Sequence, residues 1–134
     1  MPIHIEWMDR AHTIVKHTYE EPWTLQEYYE LLEENHRIID KTGHVVDVIN
    51  DLRQIRQLPD EMIPALHRSI ELIHPNEGFK VMVAANTLAR ILVESVYITM
   101  RRDITTIIFA NSIEEAIEMI LARRTAHETV NSDH

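Results

Sequence analysis

Short β-patterned runs alternate with segments of helical periodicity along almost the whole chain, and that alternation restricts the folds open to it. Ile3, Ile5 and Trp7 alternate with His4 and Glu6, as in a half-buried strand. After an Asp9-Arg10 turn, Ala11, Thr13 and Val15 share one face of a second run, with His12, Ile14 and Lys16 on the other. Strands joined by so short a link pair antiparallel. Thr24 and Glu27 have the spacing of a capping box for a helix running through Leu25, Tyr28 or Tyr29, Leu32, His36 and Ile39 to Thr42, where Gly43 supplies a left-handed stop. Val45, Val46, Val48 and Ile49 form the next strand. Asp60 is a candidate cap for the helix after it, but Pro64 removes an amide from the first turn. A separate turn at Pro59–Ile63 and a regular helix from Pro64 to about His74 are therefore expected. A strand at Phe79–Ala85, a helix from Asn86 or Thr87 to about Arg101 and a strand at Ile104–Ala110 follow. Ser112 and Glu115 open the last helix, whose stripe is Ile113, Ala116, Ile117, Ile120 and Leu121. The order ββαβαβαβα calls for a single α/β domain over 1–124. Its sheet is mixed and mainly parallel, with an N-terminal antiparallel hairpin and right-handed crossovers. Residues 125–134 are polar and expected to form a disordered tail.

At 134 residues the chain suits one domain with a proper core, and 45% apolar with 26% charged residues is ordinary for a globular protein. The longest apolar run, near Ile91–Met100, is broken by Glu94, Ser95 and Thr99, so no membrane span is expected. The opening MPIHIEW lacks the layout of a secretion signal. Absence of cysteine excludes disulfides and thiolate metal sites and fits a cytoplasmic home. A net charge of -9 argues against a nucleic-acid partner. Six acids and no bases fall between Glu20 and Glu34, read as a solvated helix face, whereas Arg53, Arg56, Arg68, Arg90, Arg101 and Arg102 gather in the middle.

Val45–Glu61, VVDVINDLRQIRQLPDE, reads as a buried strand followed by a loop with two arginines and a helix start. Binding and switching groups of open α/β sheets sit just past such a strand's carboxyl end. From Asp47 to His67 there is no Ser, Thr, Cys or Gly, so the segment has no hydroxyl to phosphorylate, no nucleophile and no phosphate-wrapping loop. The element order, with the segment Asp51-Leu52-x-x-Ile55-x-x-Leu58-x-Asp60, resembles the STAS domains, the anti-sigma-factor-antagonist-like family, over roughly Ile3 to Arg124. The resemblance implies a cytoplasmic regulatory module that works through protein–protein contacts, with its switch position at or next to Asp60. This chain departs from that pattern: it reads Pro59-Asp60-Glu61 with no hydroxyl, and Pro64 stands where the family favours glycine. Asp60 would act as a fixed negative charge or as a helix cap, and capping is the reading preferred here.

The remaining chemistry is sparse. Nine histidines invite a metal or acid–base reading, with His4, Glu6 and His12 in the hairpin and His36 and Asp40 one helical turn apart. No HExxH or comparable pair supports a metal site, and no nucleophile motif supports catalysis. No catalytic, metal or cofactor-binding residue is therefore assigned, and no enzyme is expected. Asp47 lies within a strand, where a carboxylate needs a partner; Lys80 on a neighbouring strand is a candidate. Trp7, Trp23, Tyr28 and Tyr29 either fill the core or line a pocket. Leu88–Met100 is apolar nearly all round, so it needs a second burial partner: a helix of the same domain, or a second subunit meeting Ile91, Val93, Tyr97 and Ile98 in a homodimer. The expected function is binding to a protein partner through Arg53, Arg56 and Asp60. The alternative is a carrier for a small molecule or lipid.

Overall fold

The computed structural model describes residues 3–132. Its elements are β1 (Ile3–Trp7), β2 (Ile14–Tyr19), α1 (Leu25–Thr42), β3 (Val46–Asp51), α2 (Met62–Glu71), β4 (Glu77–Val83), α3 (Thr87–Thr99), a 3-10 turn (Ile104–Thr106), β5 (Ile107–Ala110) and α4 (Ile113–Ser132). One five-stranded sheet has the order β1-β2-β3-β4-β5, with β1 antiparallel to β2 and all other pairs parallel. Because each crossover advances one strand in the same direction, right-handed connections bring α1, α2 and α3 to the same face. The other face is left to α4, where Ala116 and Ile120 pack on Ile14, Ile49, Val81, Val83, Ile108 and Ala110.

Local chemistry fixes most element ends. Thr24 and Glu27 form the reciprocal capping box, and Gly43 closes α1 at φ 72°. Asn86 caps α3 by accepting from Ala89 N, and Ser112 Oγ accepts from Glu115 N at 3.0 Å. Helix α2 begins earlier than the proline suggested: Pro64 falls in its first turn, where its missing N–H is harmless. Asp60 does not cap that helix. The capping position is Glu61, which adopts a left-handed backbone (φ 63°) and makes no side-chain cap bond. The second strand lies further along than expected, because Asp9 holds Thr13 N (2.8 Å) and Ile14 N (3.2 Å) in the turn and His12 takes φ 56°. Helix α4 runs on to Ser132, through most of the segment expected to be a disordered tail; no Gly or Pro interrupts it.

Asp47 is almost fully buried, and its partner is not Lys80. The β3–β4 register slips between Val46 and Val48, so Gly78 and Phe79 together oppose Asp47. Lys80 then pairs in register with Val48 and faces α1–α3, whereas Asp47 faces α4. The carboxylate accepts from Phe79 N at 2.7 Å and from Arg124 Nε at 2.7 Å. Arg124 continues to the Thr13 carbonyl at 2.9 Å, binding α4 to the start of β2. Gly78 makes room for this arrangement: a Cβ there would stand 2.1 Å from Asp47 Oδ1.

Removing Arg124 leaves a buried carboxylate without its counter-charge, so Arg124→Ala should cost about 3 kcal/mol of unfolding free energy. Gly78→Ala should also destabilise, by driving Asp47 off Phe79 N. As both act on one carboxylate, urea unfolding of the double variant should show a loss smaller than the sum. Additive losses would mean that the two residues do not share Asp47.

Candidate functional site: a polar chain in an apolar cavity

The face covered by α1, α2 and α3 is not purely apolar. Along β2, His17 shares a face with Val15 and Tyr19; along β3, Asn50 shares one with Val46 and Val48; along β4, Lys80 shares one with Met82. The register sets His17 beside Asn50 and Asn50 beside Met82. Helix α1 lowers Asn35 onto this row, and the first residue of β4, Glu77, meets it from the side. These polar residues, with Trp23, Tyr28, Met62 and Leu92, line a cavity of about 120 Å³ between the three helices and the sheet. Leu52, Ile55 and Leu58, from the loop after β3, form part of its wall.

The polar groups form one continuous hydrogen-bonded chain. Burial pushes the His17 imidazole down to about 4, against the opposing effect of its bonds to Asn35 and Asn50, so the ring is neutral near pH 7. His17 Nε2–H donates to Asn35 Oδ1 at 2.9 Å, and Asn35 Nδ2 donates to Glu77 Oε1 at 3.0 Å. The neutral ring then has an acceptor at Nδ1, which suits the Asn50 amide, while Tyr19 OH donates to Asn50 Oδ1 at 3.3 Å. At the far end Lys80 Nζ lies 3.1 Å from Glu77 Oε2. Every donor therefore points toward Glu77, and both its oxygens are engaged. Both members of the Glu77–Lys80 pair are nine-tenths buried. A desolvated pair of this kind adds little to stability, because the cost of burying both charges offsets most of their attraction.

The loop that borders the cavity is held at two points. Glu21 Oε1 accepts from Arg56 N at 2.6 Å and from Gln57 N at 3.2 Å, which tethers it to the end of β2. Arg53 clasps the buried Asp51 through Nε (2.9 Å) and a second guanidinium nitrogen (2.8 Å). That hydrogen-bonded ion pair holds the Asp51 carboxyl below the usual carboxylate range. Of the residues expected to meet a partner, Arg53 is thus committed within the chain, while Arg56 and Asp60 expose their side chains.

Other expected sites resolve differently. Val93 and Tyr97 are not free to meet a second subunit; they are buried against α2 and β5 with Leu66, Ile70 and Ile107. The opposite side of α3 exposes Leu88, Ile91 and Ile98. Of the four aromatic candidates, Trp23 and Tyr28 line the cavity and Trp7 and Tyr29 do not. His12 stacks on Trp7 with centroids 4.3 Å apart, away from His4, which lies 3.7 Å from Glu20. His36 packs edge-on against His74, whose Nε2 is 3.0 Å from Asp40 Oδ1. Among the described residues, no group of three potential metal ligands converges. No described helix is long and apolar enough to cross a membrane.

No family model and no curated protein matches the sequence. Among solved structures, the chain is similar to the NMR structure of the protein TM1081, with a TM-score of 0.56 and 14% identity over 85% of this chain and 84% of that one. At that identity the likeness establishes the fold alone.

His17 should leave a signature in the pH dependence of stability. Its pKa is about 4 in the folded protein against about 6.5 unfolded, so on acidification the unfolded chain takes up the proton first. The neutral ring's contribution is whole above about pH 6.5 and erodes toward pH 4 at up to about 1.4 kcal/mol per pH unit. His17→Gln should be less stable than the parent at pH 7, with a gap that narrows at pH 6 and again at pH 5 in urea unfolding. A constant gap would contradict a buried neutral imidazole.

Proposed function

We propose that the protein is a non-catalytic cytoplasmic binding module of STAS-like architecture. It holds a small, mainly apolar molecule between α1–α3 and the sheet, and it displays the occupied state to a protein partner through the loop Leu52–Glu61. The observation that carries this reading is the cavity itself: an apolar chamber penetrated by a fixed polar chain, with the loop after β3 as one wall. Few, well-positioned polar groups in a mainly apolar concavity are the usual makings of a small-molecule site. The position past the carboxyl end of a central parallel strand fits binding in an open sheet.

The cavity chemistry favours binding over turnover. Both His17 ring nitrogens are engaged, so the ring is poorly placed to shuttle a proton. The Ser69 hydroxyl donates to the Leu66 carbonyl at 2.7 Å, a helix-internal bond that does not activate it as a nucleophile. The loop has what a readout surface needs. Arg56 is tied down by its backbone and is exposed, and Asp60, in the same loop, is exposed as well.

Native mass spectrometry of the full chain purified from its own cells should reveal a retained small molecule that is released on denaturation. Leu92→Trp, which fills the cavity, should abolish that adduct while leaving the circular dichroism spectrum intact. An adduct retained by Leu92→Trp, or none in the parent, would overturn the cavity reading.

Arg56→Ala should weaken capture of the partner with little effect on the melting temperature. Both hydrogen bonds to Glu21 come from backbone N–H groups, and the charge attraction lost is exposed and screened by solvent. Arg53→Ala should lower the melting temperature, because it strands the buried Asp51 carboxylate. Unchanged capture by Arg56→Ala would remove the loop from the proposal.

A further inference from the structure

We infer that the cavity selects an uncharged molecule carrying a carbonyl oxygen, which docks on the Lys80 ammonium; the inference rests on the cavity reading above and specifies its ligand.

The reasoning starts from donors and acceptors. An ammonium has three N–H donors and no acceptor. The Lys80 side chain is only 10% exposed, and its one ion-pair partner among the described residues is Glu77, at 3.1 Å. Its nitrogen belongs to a residue that lines the cavity, so the remaining donor capacity is best met by an acceptor placed there. A buried ammonium left short of acceptors is costly, which makes an oxygen from the occupant valuable.

The charge of that oxygen follows from Glu77. Its carboxylate already balances Lys80, and both its oxygens are fixed, one by Lys80 and one by Asn35. A ligand carboxylate or phosphate would therefore bring a second anion to a single buried cation, beside a carboxylate that cannot turn away. Like charges at such range in a poorly solvated site repel strongly. A carbonyl accepts the same hydrogen bond without that repulsion. The other lining groups, Trp23, Tyr28, Met62 and Leu92, suit an apolar body. The size is modest: about 120 Å³, against about 150 Å³ for an apolar cavity that takes benzene.

The test uses three probes of similar size on the full chain, followed by NMR titration: 2-pentanone, sodium butanoate and benzene. The ketone should bind at least about tenfold more tightly than benzene, reflecting one added hydrogen bond to a charged donor. It should also bind at least about tenfold more tightly than butanoate, reflecting the repulsion from Glu77 that it avoids. Its shifts should centre on Lys80, Glu77 and Asn35. In the paired variant Lys80→Met/Glu77→Gln, which removes the ammonium without stranding the carboxylate, ketone and benzene should bind equally. Butanoate binding as well as the ketone would overturn the preference for a neutral head. Benzene matching the ketone in the parent would overturn the role of Lys80 while sparing the cavity. Failure of all three probes to bind would bring down the cavity reading itself. If the paired variant does not fold, the ranking of probes on the parent still decides.

Discussion

The clamp of Asp47, Arg124 and Thr13 is the interaction on which the rest of the architecture turns. Three right-handed crossovers, each advancing one strand, deliver every crossover helix to one face and leave the reverse face to a single helix. That helix packs through Ala116 and Ile120, with Ile113, Ile117 and Met119 partly buried beside them, and gains a polar anchor further along, at Arg124. The bulge opposite Asp47 supplies it, because the extra residue on β4 turns Phe79 N toward the carboxylate and Gly78 leaves the space. The same slip sets the parity of everything downstream on β4. With Asp47 facing α4, Lys80 falls on the opposite face and enters the cavity. One irregularity thus places the Asp47 carboxylate on one side of the sheet and the buried Lys80–Glu77 pair on the cavity side.

Much of the fold was legible because its signals are local. The alternation in Ile3–Trp7, the capping box at Thr24 and Glu27 and the stop at Gly43 each act over a few residues, and each is found where the sequence puts it. The misplaced details depend on contacts distant in sequence. The second strand begins late because a side chain in the turn, Asp9, competes for backbone donors. The pairing of Asp47 could not be found by counting along strands, since a bulge alters the count and the true partner is 77 residues away. Helix α3 is apolar nearly all round in sequence, but only its Val93, Val96 and Tyr97 side is buried, against α2 and β5. Leu88, Ile91 and Ile98 are exposed, and which side faces inward depends on how α2 packs against it.

The cavity was the least legible part, although a trace of it was present. His17 shares strand parity with Val15 and Tyr19, and Asn50 with Val46 and Val48, so each interrupts an otherwise apolar face. Polar residues in such positions require partners inside the core. The partners come from α1 and the start of β4, at Asn35 and Glu77, and no fixed spacing links these positions in the chain. Only the sheet register assembles them. A motif search has nothing to find in such a set, whereas a search for polar residues of the wrong parity would have raised the question.

On the proposed reading, cavity and surface would be coupled through the shared backbone of the loop after β3. Leu52, Ile55 and Leu58 touch the cavity, while Arg56 and Asp60, in the same short segment, face solvent. The loop is anchored at its start, where Arg53 holds Asp51, and at its middle, where Glu21 holds Arg56 and Gln57, while Leu52, Ile55 and Leu58 rest on the chamber. An occupant that fills the chamber supports those apolar side chains, and an empty chamber does not. On the proposed reading, the spacing of Arg56 from Asp60 would carry that difference to a partner. Between Asp47 and His67 the chain carries no hydroxyl whose modification could switch this surface. A ligand under the loop would be the substitute that this chemistry permits. Its influence would be limited by the difference in its affinity for the two loop arrangements.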